Sequence, residues 1–286
     1  MNILTFDIEE WFHILDLEET QGEPEWLCFE KRLDTNVARI LNFLQERDQK
    51  ATFFVLGWVA RNYPTIVKRI HSCGMEIASH SDMHQLAYQQ SRSSFRDDLD
   101  RSVKSLEDIT GVKVTAYRAP GFSVKYSNLW IFEELARQGI DKDCSIFPAP
   151  RAHGGLTEFK VAQPAWVDYN GIRLKEFPIN VYDSIAGKFV FSGGGYFRLL
   201  PYAWIRYLTK ISPYMMTYFH PRDFDPGQPM IKELTPIRKF KSYVGLKTSL
   251  NKLRKLTEEF EFTNLEGADL FTDWDRAPIV KLDDTK

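Results

Sequence analysis

Met75-Glu76-Ile77-Ala78-Ser79-His80-Ser81-Asp82-Met83-His84 runs from a short apolar stretch straight into two imidazoles four residues apart. On a helical turn or tight loop, positions i and i+4 project to the same side, so two neutral imidazole nitrogens can reach one divalent cation. Ser81 stands where the zinc-peptidase signature H-E-x-x-H carries its general-base Glu. A third ligand and a base therefore have to come from elsewhere in the chain. The stretch also sets the fold question: a strand that delivers a polar residue at its C-terminal end.

The same pattern recurs on both sides. Asn2 to Phe6 reads as a buried strand ending on Asp7, followed by Ile8-Glu9-Glu10-Trp11. Asp34 or Thr35 can cap a helix through Val37, Ile40, Leu41 and Leu44. Ala51 to Leu56 is a strand apolar enough to be covered on both faces. Trp58 to about Cys73 reads as one amphipathic helix ended by Gly74. Phe95, Leu99, Val103, Leu106 and Ile109 repeat at helical spacing, and Gly111 stops them before the strand Val112 to Tyr117, which ends on Arg118-Ala119-Pro120-Gly121. A helix from Asn128 to Gln138 precedes Ile140 to Ile146, which carries Asp143. Gly171 to Val181 reads as a turn and a strand, and Ser192 to Phe197 as a flexible approach to a helix from Pro201 to about Ile211. Met215 to Phe219 is a strand ending on His220, followed by a helix from about Val244 to Phe260 and a short strand near Phe262. Residues 1–275 are expected to form one domain, with a loosely held charged tail at 276–286.

Strands alternating with helices mean parallel βα units. Asp7, His80, Arg118, Asp143 and His220 all fall at C-terminal ends of different strands, where barrel enzymes collect their chemistry. The expected fold is thus α/β, a (β/α) barrel rather than an open doubly wound sheet. Dinucleotide and P-loop signatures are absent, and Gly193-Gly194-Gly195 lacks the lysine of a phosphate loop.

Composition narrows the partners. A chain of 286 residues with net charge -2 has no electrostatic footprint for nucleic acid. Three separated cysteines, Cys28, Cys73 and Cys144, argue against a disulfide framework or a thiolate zinc site and fit a reducing compartment. The start of the sequence leaves no room for a signal peptide's apolar region, and no run of about 18 apolar residues occurs. A cytoplasmic protein without a membrane span is the expectation; the sequence is silent on oligomeric state. The aromatic content of 14% suits a sugar-stacking cleft or a large core.

Together, Phe6-Asp7-Ile8-Glu9-Glu10-Trp11, His80-Ser81-Asp82-Met83-His84, Arg118-Ala119-Pro120-Gly121, Asp143-Cys144-Ser145 and Tyr218-Phe219-His220-Pro221 resemble, in order, the five motifs of the polysaccharide deacetylases, the NodB-homology or chitin-deacetylase family. The Asp-x-Glu start, Phe-Pro-x-Pro-Arg, Gly-Gly-Gly-Tyr-Phe-Arg and His-Pro-x-x-Phe-Asp-Pro resemble its branch associated with bacterial exopolysaccharide biosynthesis. The resemblance implies a distorted, incomplete (β/α) barrel of about seven parallel strands. It also implies metal-dependent hydrolysis of N-acetyl groups on amino sugars of an oligo- or polysaccharide, be it exopolysaccharide, cell wall or lipid-linked precursor.

By that resemblance His80 and His84 are metal ligands, Asp7 is the base, Arg118 its partner, His220 the acid and Asp143 the carboxylate that orients it. The third ligand falls to Glu9, with Glu10 as the alternative, because Ile8 occupies the place where the commoner Thr-Phe-Asp-Asp-Gly form carries its ligand. Zn2+ leads among the metals, with Co2+, Mn2+ or Ni2+ as alternatives. A backbone N–H near Gly121 would meet the oxyanion, and Phe122 and Tyr196 would line the substrate site. Tyr218 replaces the usual Leu of the fifth motif, a change that touches the pocket wall. His13, His71 and His153 match no motif. Two rival readings are a same-fold hydrolase of a cyclic amide or allantoin-like bond and a non-catalytic carbohydrate-binding relative. A serine hydrolase is disfavoured, since no G-x-S-x-G occurs.

Overall fold

The computed structural model describes the chain except residues 16, 18, 19, 21, 152, 185, 186 and 284–286. Six strands lie side by side and mutually parallel: Thr5–Ile8, Thr52–Val55, Glu76–Ser79, Ala116–Tyr117, Lys142–Asp143 and Ile172–Glu176. A seventh, Met215–Met216, runs parallel to Asn2–Ile3, and the register continues to a Phe6 to Phe219 bridge. Between Ile172–Glu176 and this seventh strand there is no ladder. The gap is crossed by Asn180 Oδ1, which accepts from Met216 N at 3.0 Å, and by Tyr214 Oη, which donates to Pro178 O at 2.8 Å. The barrel is therefore distorted and incomplete, as expected.

Thr52–Val55 is wholly buried, as its apolar sequence demands of a strand covered on both faces. Each such Phe or Val contributes about 1.5–3 kcal/mol of transfer free energy. Leu33–Gln45 buries Val37, Ile40, Leu41 and Leu44 on one face. Its start is capped from outside: Glu10 accepts from Arg32 N at 2.9 Å and Leu33 N at 3.0 Å, in place of the expected Asp34 or Thr35. Arg92–Thr110 begins at Ser91, whose Oγ accepts from Ser94 N, and ends at Gly111 with φ of 70°.

Four details differ from the sequence reading. The helix expected over Trp58 to Cys73 is two, Gly57–Asn62 and Pro64–Ser72, because Pro64 has no N–H to continue the first. Ser192 to Phe197 is not merely flexible; Gly194–Leu199 is a short helix. Near Phe262 only a bridge from Thr263 to Ile3 forms, and the helix Leu265–Phe271 follows. The chain after Asp273 is also held: Ile279–Leu282 pairs in parallel with Ala165–Tyr169, itself antiparallel to Ile172–Glu176, at the sheet edge. Val280 and Leu282, two positions apart, supply the inward apolar face that the charged neighbours obscure. Among the described residues, no helix is long and apolar enough to cross a membrane.

Candidate active site

Parallel strands share one C-terminal end, and there Asp7, Glu9, His80, His84, Arg118, Gly121, Phe122, Tyr196 and His220 line or border one cleft of about 820 Å3. The loop after Glu76–Ser79 is not helical. His80 N is fixed by Val55 O at 3.0 Å, Ser81 and His84 adopt φ of 69° and 54°, and Ser81 Oγ accepts from His84 N. Asp98 holds the turn by accepting from Asp82 N at 2.7 Å and Met83 N at 3.1 Å. Gly57 permits this packing, since a Cβ there would collide with Asp82 Oδ1 and lie 2.8 Å from Ser102 Cα. Such left-handed conformations in non-glycine residues cost free energy and persist only where the surroundings impose them.

The loop brings His80 and His84 to Glu9, with one ligand atom from each within 4.8 Å of the others. All three are buried. His80 Nδ1 bonds Arg118 O at 2.8 Å, which directs Nε2 to the cluster. Glu9 Oε2 lies 2.6 Å from His84 Nε2 yet has no hydrogen-bond donor aimed at it. Two nitrogens and an orphaned carboxylate oxygen converging on one point fit a divalent cation. Burial opposes the Glu9 charge, but His84, His220 and His80 outweigh it and hold the carboxyl below its ordinary range. Burial pushes His80 down to about 4, against the pull of Asp7, so it stands neutral as a ligand must. Glu10 is spent capping Leu33–Gln45, and burial raises its pKa.

Across the cleft, Asp7 Oδ1 accepts from Arg118 Nη1 at 2.6 Å, and its Oδ2 faces His220 Nε2 at 3.8 Å. Arg118 is fully buried, with Cζ 4.1 Å from the Phe54 ring centroid and Nη1 also on Thr5 Oγ1 at 2.8 Å. His220 Nε2 is 3.7 Å from Glu9 Oε1.

The carboxylate that meets the His220 ring is Asp223; Asp143, expected in that place, bonds elsewhere. Asp223 Oδ2 meets His220 Nδ1 at 3.2 Å and accepts from its backbone N at 2.9 Å. Burial disfavours the imidazolium, but Asp223, Glu9 and Asp7 together raise His220 to about 9. Asp223 Oδ1 is held in turn by buried Arg198 Nε at 2.9 Å. Asp143 sits instead below the third motif. It accepts from Ser145 Oγ at 2.5 Å, Ser145 Oγ accepts from Ala119 N at 2.8 Å, and Asp143 neighbours Glu176. Burial, then their mutual charge, raises Glu176 well above its ordinary value, and burial raises Asp143 as well. The correction follows from register: Asp143 pairs with Tyr117 and Glu176 inside the sheet, whereas His220 begins a turn that returns its own i+3 carboxylate.

The cleft wall is aromatic. Phe122 packs edge-on against Phe147 and Tyr218 at 5.6 and 5.4 Å, and Arg151 lies over Phe147 at 4.4 Å. Gly121, at φ of 62°, is tight against Leu15, which a Cβ would meet at 2.8 Å. Tyr196 is half exposed at the mouth. His13, unassigned from sequence, is buried behind His84 at a ring separation of 5.9 Å, with burial lowering its pKa well below the ordinary value. Arg198 and Asp223 were also missed, although both stand in quoted motifs; the i to i+3 spacing of His220 and Asp223 was the available signal.

The sequence model of the polysaccharide deacetylases matches residues 18–139, and a model described as a domain of unknown function, DUF3473, matches 144–269. A bifunctional xylanase/deacetylase of Pseudobutyrivibrio xylanivorans is 31% identical over 107 residues, covering 36% of this chain and 18% of that protein. A peptidoglycan-N-acetylglucosamine deacetylase of Bacillus cereus is 27% identical over 115 residues, 40% of this chain and 42% of that one. The chain thus spans less than half the length of both curated relatives. Among solved structures, a putative polysaccharide deacetylase from Mycobacterium smegmatis superposes with TM-score 0.61 at 20% identity, covering 90% of this chain and 82% of that one. A CE4 family pseudoenzyme from Bacillus anthracis gives TM-score 0.51 at 16% identity, over 99% and 69% of the two chains. At such identities the likeness is one of fold. The motifs at strand ends and the incomplete parallel barrel agree with the match over 18–139: that stretch is similar to the polysaccharide deacetylase family, and the chain as a whole shares the fold of a solved polysaccharide deacetylase.

Proposed function

We propose that this protein is a metal-dependent hydrolase that removes N-acetyl groups from amino sugars of an oligo- or polysaccharide. One observation carries the reading: a proton-accepting pair, Asp7 with Arg118, and a proton-donating pair, His220 with Asp223, face the Glu9, His80 and His84 cluster within one cleft. Fold likeness alone does not carry it, since a pseudoenzyme shares the fold.

Glu9, His80 and His84 would hold the divalent metal, Zn2+ foremost, which would acidify water and polarise the acetamide carbonyl. Asp7, aimed by Arg118, accepts the proton of the attacking water. Gly121, beside Arg118 on the cleft wall, offers its backbone N–H to the oxyanion that forms. An amine leaves poorly unless protonated. His220, kept as imidazolium by Asp223, delivers that proton. Phe122 and Tyr196 contribute apolar ring surface on which a sugar can stack.

The test is acetate release from N-acetylglucosamine oligomers, monosaccharides and cyclic amides, before and after chelation and metal restoration. Acetate from the oligomers, lost with chelator and regained with Zn2+, is expected. Turnover of cyclic amides alone would assign the protein to another carbon–nitrogen hydrolase, and no turnover of any substrate would reduce it to a binding protein.

A further inference from the structure

Eight of the fourteen large apolar side chains that the described surface exposes lie between residues 196 and 240. Trp204, Tyr207 and Ile211 form one stripe, at i, i+3 and i+7, on the helix Tyr202–Ile211, whose opposite face buries Ile205 and Leu208. The helix Pro236–Tyr243 buries none of its residues and exposes Ile237 by 70% and Phe240 by 57%, one turn apart. Arg198 ties this helix down through Ser242 O, Val244 O and Lys241 O. Tyr196, Leu199 and Phe240 consequently share the wall of the cleft.

Charge is concentrated beside them. Residues 232–255 contain eight Lys or Arg and a single acid, Glu233, in a chain whose net charge is -2. Lys232, Lys241, Lys247 and Lys255 are exposed. Exposed aliphatic and aromatic side chains interleaved with lysines, at the edge of a pocket, make the surface of a protein that lies on an anionic bilayer without spanning it.

We propose that the face at the cleft mouth, built on Pro236–Tyr243 with Tyr196 and Leu199 beside it, docks onto an anionic lipid membrane with the cleft mouth at the bilayer surface. A second copy of the chain fits poorly, because a two-fold contact would press the basic segment against itself. Nucleic acid fits less well: its phosphates would pair the lysines but leave the exposed aliphatic side chains Leu199 and Ile237 uncovered. The inference is independent of the hydrolytic reading.

The experiment is co-sedimentation of the full chain with phosphatidylcholine vesicles, with and without phosphatidylglycerol. Binding is expected to the anionic vesicles only and to weaken as salt rises. I237E/F240E and K239E/K241E should each weaken it about tenfold or more. L270E/F271E, which changes an equally exposed apolar pair elsewhere, should leave it intact. Failure of the wild-type chain to sediment with anionic vesicles at low salt would overturn the proposal, as would equal losses in I237E/F240E and L270E/F271E. Self-association in ultracentrifugation that I237E/F240E abolishes, without vesicle binding, would give the face to a second copy and overturn it as well.

Discussion

The two halves of the molecule supply different halves of the site. Residues 1–139 provide Asp7, Glu9, His80, His84 and Arg118, in or just beyond the C-terminal ends of adjacent parallel strands. Residues 144–269 provide His220, Asp223 and Arg198, held by a web that leaves the barrel and reaches the helix Pro236–Tyr243. The first half is pinned by hydrogen bonds between neighbouring strands. The second depends on a chain of side chains, Arg198 to Asp223 to His220, and no ladder joins its strand Met215–Met216 to Ile172–Glu176. Substitutions should therefore separate metal binding from proton donation.

The largest effect is expected of His80→Ala, which should remove both the bound metal and acetate release. His220→Ala should keep the metal, by elemental analysis, and slow turnover by about 10²- to 10⁴-fold. Loss of metal from His220→Ala would merge the halves and break the comparison.

Next comes Asp223→Asn, which should cost about 10- to 100-fold in kcat. The sign of its pH effect is fixed: Asp223 favours the imidazolium, so the donor form, retained up to about 9 in the native site, is lost at lower pH without it. The alkaline limb of the rate profile should move down. Asp143→Asn should leave that limb in place, because Asp143 bonds Ser145 and Glu176 rather than His220.

How much of this was legible beforehand divides along the same line. The strands and the two histidines could be read because apolar runs ending in polar residues mark buried parallel strands directly. The partner of His220 could not be read from strand order, which offered Asp143 at an equivalent strand end, since register alone says which strand ends face inward to the cleft. Only the resemblance favoured Glu9 over Glu10 in sequence. The deciding fact was the helix start at Leu33, whose unpaired N–H groups claim Glu10. Nor did composition reveal that Ile279–Leu282 forms an edge strand, because its partner Ala165–Tyr169 lies over a hundred residues away.

Smaller effects test the scaffold of the first half. Gly57→Ala should lower stability by about 1–3 kcal/mol in chemical denaturation, as its Cβ overpacks against Asp82 and Ser102. Glu10→Ala should cost about 1 kcal/mol through the uncapped helix while leaving metal content unchanged. Metal loss in Glu10→Ala with retention in Glu9→Ala would reverse the ligand assignment.

The most direct measurement is metal content and acetate release determined on one preparation of Asp7→Asn. A full complement of metal with release from N-acetylglucosamine oligomers reduced at least about 100-fold is predicted, because the ligand cluster survives while the proton acceptor does not. Full metal with undiminished release would contradict the account.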